Sequence, residues 1–519
     1  MRFPLLPATL AVGLLLPLAA LAQDAVVDLA AAATPIAAPA PAADAHAHAF
    51  PLRAWVQERF AGSGVSAIDV GRPLPTDPQL LGPTTQTENR LRLGLGLDWS
   101  SHSGFLRKAM LEGEADVFSD IWSEGTHTSD QRLRKGFIEL TTLAGQVSAG
   151  RMVSTWGLGI LAQSGEEDAM QFGLRRGGSL VDRVQYAILP AALIQSGDPL
   201  KAFPLAVVVA YDRIVRDDLM DVENGDHGRQ AIGALLYRSA DLDLGAYGVS
   251  RTQRDKSDLG ADVLMGDVYG AWRQKIGSYK LEIAGEWAVI DGSTTWFRTV
   301  AHPSSVDILQ HGGVLRADLS RGRVSGRLEF GLASGDSRPQ DGTLRNMKFA
   351  SDYRVGLILF PEFVKRQAQI AAANVGDPRF AAAGPAGLER SDTGGAVSQA
   401  LYIHPVVRFD PAQSVSLLWG AVWARSPVDV ADIYKTAMAG GTPTGPRGAK
   451  DKRDLGLEFD TAIELHHRAT CGITMLARVD GGVLLPGDAF SNPNAVDPAA
   501  RDARIVGVVL GQVGLRANW

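Results

Sequence analysis

Tyr279–Ile290 reads YKLEIAGEWAVI. Leu281, Ile283, Gly285, Trp287 and Val289 share one parity, and Lys280, Glu282, Ala284, Glu286 and Ala288 share the other. Successive strand side chains point to opposite faces, so this is a strand with one apolar and one charged face. The pattern recurs along most of the 519 residues, with no helical layer to cover the apolar faces. Lipid is the solvent that can take so many of them. The expected fold is all-β, a transmembrane antiparallel β-barrel.

Composition agrees. Charged residues are 21%, glycines number 57 and the formal net charge is -6, which suits strands that face water on one side only. No basic stripe of the kind nucleic acid requires is present. Arg2, an apolar run to Ala20 and the small-x-small site Ala20-Leu21-Ala22 make residues 1–22 a signal peptide. The expected location is therefore the outer membrane of a Gram-negative bacterium. No later stretch approaches the ~20 apolar residues of a spanning helix. Cys471 is the single cysteine, which excludes an intramolecular disulfide and a lipoprotein anchor.

Residues 23–63 are Ala/Pro-rich and read as a disordered periplasmic leader, with a short helical turn over Pro51–Ser63. His46 and His48 lie in that leader, where two ligands on a floppy segment make no metal site. The barrel is expected over 64–519, with Ser66–Val70 as its first strand. Arg90–Asp98, Ala109–Phe118, Leu133–Thr142, Val147–Leu161 and Asp182–Leu189 follow, and the series ends in Arg504–Trp519. About eighteen strands result.

Loop lengths support the count. Short connections (Leu143–Gln146, Lys275–Ser278, Ser320–Arg323, Asp410–Gln413) alternate with long ones (Asp217–Gly228, Asp291–Ser305, Ser426–Lys452). Short periplasmic turns and long extracellular loops are the outer-membrane arrangement. The alternation puts Tyr353–Val364, though apolar, inside one long outer loop, 335–397, which has the length to fold into the lumen. The aromatic end of VVLGQVGLRANW looks like the signal read by the barrel assembly machinery.

A barrel of this size leaves a water-filled lumen. Strand alternation points Arg90, Arg92, Lys135, Arg327 and Arg478 into it, with Glu112, Glu114, Glu286, Glu458 and Asp460. Both signs are present, and cross-strand pairing is the plain reading for most of them. No enzyme is expected. Gly94-x-Gly96 lies within a strand, His466-His467 sits at a turn, and no local motif supports a hydrolase. No cofactor is expected. Asp221, Glu223, Asn224 and Asp226 cluster in an outer loop that reads as a solvated acidic loop, with divalent-cation bridging to lipopolysaccharide as its alternative.

From Arg90 to Trp519 the chain resembles the alginate export family of outer-membrane barrels. The resemblance is carried by DLGLEFD (Asp454–Asp460), ARVDGGVLLPGDAF (Ala477–Phe490), GFIELTTLAGQVSAGR (Gly136–Arg151) and FGLASGD (Phe330–Asp336). It implies an eighteen-stranded barrel whose constriction is lined by basic residues passing a polyanionic polysaccharide. Arg92, Lys135 and Arg478 occupy such positions, and Arg345 and Arg354 match a pair in the long loop. Arginine suits a carboxylate chain because its planar fork stays charged and binds in two places. Val153 stands where the family has a further basic residue. The short turn His467–Thr470 stands where it has a longer periplasmic segment, so the pore would be more open or gated by a separate partner; a periplasmic export conduit is among the partners the resemblance implies.

The expected function is passive export of an anionic exopolysaccharide. A general or solute-specific porin for small anions is the alternative on the same fold, and a structural or adhesive barrel with a plugged lumen is a third.

Overall fold

The computed structural model describes residues 51–519 except 72–79, 102–103, 124–125, 176, 191–203, 219, 221, 223–224, 300–301, 340, 377–389, 391 and 470–471. The signal peptide, the leader before Pro51 and Cys471 lie outside the described residues.

The first nine barrel strands are β1 (Leu52–Val65), β2 (Thr84–Ser100), β3 (Leu106–Ser123), β4 (Thr126–Thr142), β5 (Gly145–Ser154), β6 (Ser179–Ile188), β7 (Leu205–Arg216), β8 (His227–Arg238) and β9 (Leu242–Arg254). The remainder are β10 (Gly260–Ile276), β11 (Tyr279–Thr294), β12 (Val306–Arg321), β13 (Val324–Ala333), β14 (Leu401–Ala412), β15 (Val415–Arg425), β16 (Asp454–Arg468), β17 (Ile473–Pro486) and β18 (Val506–Asn518). Each pairs antiparallel with its sequence neighbours, and β1 pairs with both β2 and β18, so the ring of eighteen closes. A two-residue strand, Thr343–Leu344, adds to the rim of β12 in parallel.

The outer wall is apolar. On β11, Ile283, Trp287 and Val289 are exposed while Ala284, Glu286 and Ala288 are buried inside, as alternation requires. On β2, Leu93, Leu95 and Leu97 face out around the buried Arg92. A closed antiparallel ring leaves no unpaired edge in hydrocarbon. The protein is an outer-membrane β-barrel of a Gram-negative bacterium, with short turns on the side where β1 starts and β18 ends, apart from the connection 189–204.

The first strand departs from expectation. It is Leu52–Val65 and not Ser66–Val70, so neither the leader nor the helical turn extends to Ser63. Ile68–Asp69 instead pairs with Leu80–Leu81 in a separate small ribbon. Backbone hydrogen bonds between Ala54 and Trp519 (3.0 and 2.8 Å) tie the chain's last residue to this strand. Its alternation was hidden by Glu58, which lies on the outward face with Phe60 and opposes Leu91 and Leu515 in register. A lipid-facing carboxylate costs about 1–2 kcal/mol, below the ~2–4 kcal/mol of a midplane lysine. Glu58→Leu is therefore expected to raise the urea midpoint for unfolding from lipid vesicles; a lowered midpoint would show that this face is covered by something polar.

The lumen also differs from the open, water-filled one expected. The alternation predicts one strand over Val147–Leu161, but β5 ends at Ser154 and the chain turns inward from there. Part of the long connection between β13 and β14 folds inward too. Tyr353, Leu357, Ile358, Leu359, Phe360 and Phe363 bury themselves against Tyr402, Val406, Leu418, Val422 and Leu484 of the wall. Leu359–Val364 forms a π-helical turn that runs into α1 (Lys365–Gly376). Tyr353–Val364 does not span, as the loop alternation required.

Candidate functional site

Residues 155–175 cross the lumen, and wall side chains hold them at successive points. Trp156 stacks on Tyr247 of β9 with centroids 4.7 Å apart, and its Nε1 donates to Asp267 of β10 at 2.8 Å. Leu158 and Gly159 then donate their backbone N–H groups to the Glu286 carboxylate of β11, the second at 3.0 Å. Gly157 has φ +54, and a Cβ there would come within 2.6 Å of Glu286 Oε2, so this turn needs glycine.

Farther along, Glu166–Gln171 runs between facing walls. From one side Arg59 of β1 reaches Glu167 at 3.3 Å, and Arg92 of β2 and Arg134 of β4 reach Glu166 at 4.0 and 3.9 Å. From the other, Arg327 of β13 pairs with Asp168 at 2.6 Å. Arg408 of β14 donates to the Ala169 carbonyl at 3.0 Å, and Arg478 of β17 to the Gln171 carbonyl at 2.5 Å. β4 and β13 are nine places apart in the ring of eighteen, so these contacts bridge a diameter. Phe172 seats on β15 at Gly420, where a Cβ would approach its ring to 2.5 Å. Burial opposes the charge of Asp168, but the Arg327 guanidinium, the Met170 N–H at 2.8 Å and Arg175 outweigh it and hold its carboxyl below the usual range.

The five residues implied by the family resemblance are distributed unevenly. Arg92 is buried and grips Asp116 through two nitrogens, at 2.7 and 3.2 Å. Lys135 pairs with Glu112 at 3.1 Å and shares Glu114 with Arg92, each at 3.9 Å. Arg478 pairs with Asp480 at 2.7 Å and Glu464 at 3.3 Å. Arg92 and Arg478 also touch the crossing segment, at Glu166 and at the Gln171 carbonyl. Arg345 instead pairs with Asp341 at 2.8 Å and Asp336 at 3.6 Å within its own loop. Arg354 is half-buried in the same loop and also engaged. They do not form one ring.

Sequence reasoning missed Arg59, because its strand was misplaced, and Arg134. A β-bulge on β4 matches Lys135 to Glu114 and Leu133 to Ala115 and skips Arg134, so two consecutive cations face inward. Adjacent Arg134 and Lys135 were the available signal, since strict alternation would put one of them in lipid. Cross-strand pairing is the sequence's plain reading for most of the inward carboxylates. Several dock loops instead: Glu458 accepts the N–H groups of Leu357, Ile358 and Leu359 at 2.5, 2.7 and 2.6 Å. Of the acidic outer-loop cluster, Asp226 pairs with Arg390 at 2.9 Å; Asp221, Glu223 and Asn224 lie outside the described residues.

Between the inward segments and the wall of β5 to β12 lies a cavity of about 390 Å³, lined by Val181, Ile214, Tyr247, Met265, Arg216 and Gln230 among others.

Comparison with protein families and with curated proteins returned no match. Among solved structures, Pseudomonas aeruginosa OccK5 (OpdH) is 10% identical over 90% of this chain and 98% of its own, with a TM-score of 0.48. Pseudomonas aeruginosa OpdK with vanillate is 11% identical over 90% and 99%, also at 0.48. Likeness at this level carries no information about substrate, and membership of the alginate export family is not shown.

Proposed function

We propose that this chain is an outer-membrane channel for small solutes, its path narrowed by the two inward-folded segments. The supporting observation is the stretch Glu166–Gln171, held between opposite walls where a polymer conduit would need a clear bore. The cavity of about 390 Å³ is in the range of a small-molecule site. Polysaccharide export would also call for cations free to exchange carboxylates along the path, yet Arg92, Lys135, Arg345 and Arg478 each hold one already. Charges of both signs sit in close pairs, so discrimination between small anions and cations is weak.

In a planar bilayer the protein is expected to give small, steady conductance steps and a reversal potential near zero in a salt gradient. Added polyuronate should leave the current unchanged. Block by the polymer would restore the export reading, and absence of any conductance would favour a structural barrel.

A further inference from the structure

Outside the lumen, the outer wall carries charge at the upper ends of β7 and β8, above an apolar stretch. The outward positions of β7 run Val207, Val209, Tyr211, Arg213; those of β8 run Leu235, Gly233, Ala231, Arg229. Register sets Arg213 directly opposite Arg229, and both side chains are exposed. Like charges facing each other across strands destabilise a sheet, so the pair calls for a counter-charge.

The neighbouring carboxylates relieve it only in part. Asp182 of β6 opposes Arg213 in register, but both its oxygens are taken by Arg151, at 2.7 and 3.0 Å. Asp262 is taken by Arg254 at 2.6 Å. Inside the wall, Asp212 is bound by Arg183 at 2.7 Å and by Gln230 at 2.8 Å. Among the described residues neither Arg213 nor Arg229 has an ion pair or side-chain hydrogen bond. Arg213 lies eight residues above Leu205, about 20 Å along the barrel axis at ordinary strand rise and tilt. That is near the top of an apolar band ~25 Å tall, at the extracellular headgroup level. Tyr211, one outward step below, stands where interfacial aromatics sit.

From these positions we infer that Arg213 and Arg229 form a binding site for a phosphate of the outer-leaflet glycolipid, the phosphorylated glucosamine head of lipid A. A phosphate between two guanidinium forks turns mutual repulsion into two charge-assisted, bidentate contacts. The acyl chains of the same lipid then lie along the apolar wall below. The site is independent of the lumen and of what passes through it.

The test is thermal unfolding of the purified barrel in neutral detergent, with and without lipid A. The wild type should gain several degrees from lipid A and nothing from its dephosphorylated form. R213Q/R229Q should unfold no earlier than wild type without lipid and lose the lipid A gain, while conductance stays the same. R229Q alone relieves the same repulsion and serves if the double variant does not fold. Full gain retained by the variants overturns the site. Equal gain from phosphatidylglycerol or inorganic pyrophosphate also overturns it, because general anion attraction then suffices. Full gain retained by R213K/R229K refutes the forked geometry.

Discussion

Changing Glu166 and Glu167 to glutamine and Asp168 to asparagine should raise single-channel conductance several-fold and move the reversal potential toward anions. These carboxylates supply the ionic anchors of the stretch Glu166–Gln171, where the backbone contacts of Ala169 and Gln171 to the wall then remain. The triple variant should still fold, because each arginine in an ion pair with these carboxylates keeps another. Arg59 keeps Glu88, Arg92 keeps Asp116, Arg134 keeps Glu114 and Arg327 keeps Asp318; it is a cation left wholly without a partner that is severely destabilising. Acid should act in the same direction on the wild type. Asp168 has its carboxyl held below the usual range in the folded protein, so its contribution is complete above the ordinary carboxylate value near 4 and is lost as pH falls through the depressed one. Conductance should therefore rise only in strong acid, and Asp168→Asn should blunt that rise. A triple variant with wild-type conductance and selectivity would mean that Glu166–Gln171 does not bound the path.

How much of this was legible depended on sequence distance. Tyr279–Ile290 announced its two faces by itself, because the alternation of Ile283 and Trp287 with Ala284 and Glu286 is local. Loop lengths added the number of strands and their orientation. The task of Glu286 was invisible, since the N–H groups it accepts belong to Leu158 and Gly159, 128 and 127 residues away, and irregular backbone has no period to read. Arg134 was lost to a bulge, which shifts parity without a signature stronger than two neighbouring cations. β1 was lost because Glu58 breaks the apolar face, while its partner strand β18 lies at the other end of the chain. The resemblance to alginate exporters placed Arg92, Lys135 and Arg478 near the constriction, but could not report that each already holds a carboxylate.

Glu458→Leu should loosen the second inward segment without opening the barrel. Glu458 is fully buried and accepts three consecutive backbone N–H groups, from Leu357 to Leu359. Leaving three such groups unpaired costs roughly 3–9 kcal/mol, at about 1–3 each. Against this stands the burial of Leu357, Ile358, Leu359, Phe360 and Phe363, about 1.5–3 kcal/mol apiece, or roughly 7–15 in all. The apolar term is the larger, so the segment stays seated but opens more often. Even the low end of the loss, about 3 kcal/mol, is roughly a hundredfold in an opening equilibrium. Hydrogen–deuterium exchange should therefore accelerate by about that factor at residues 357–359, while the amides of β15, β16 and β17 keep their protection. Unchanged exchange at 357–359 would show that apolar contact alone seats the segment. Exchange that accelerated through the strands as well would make Glu458 a support of the wall instead of the loop.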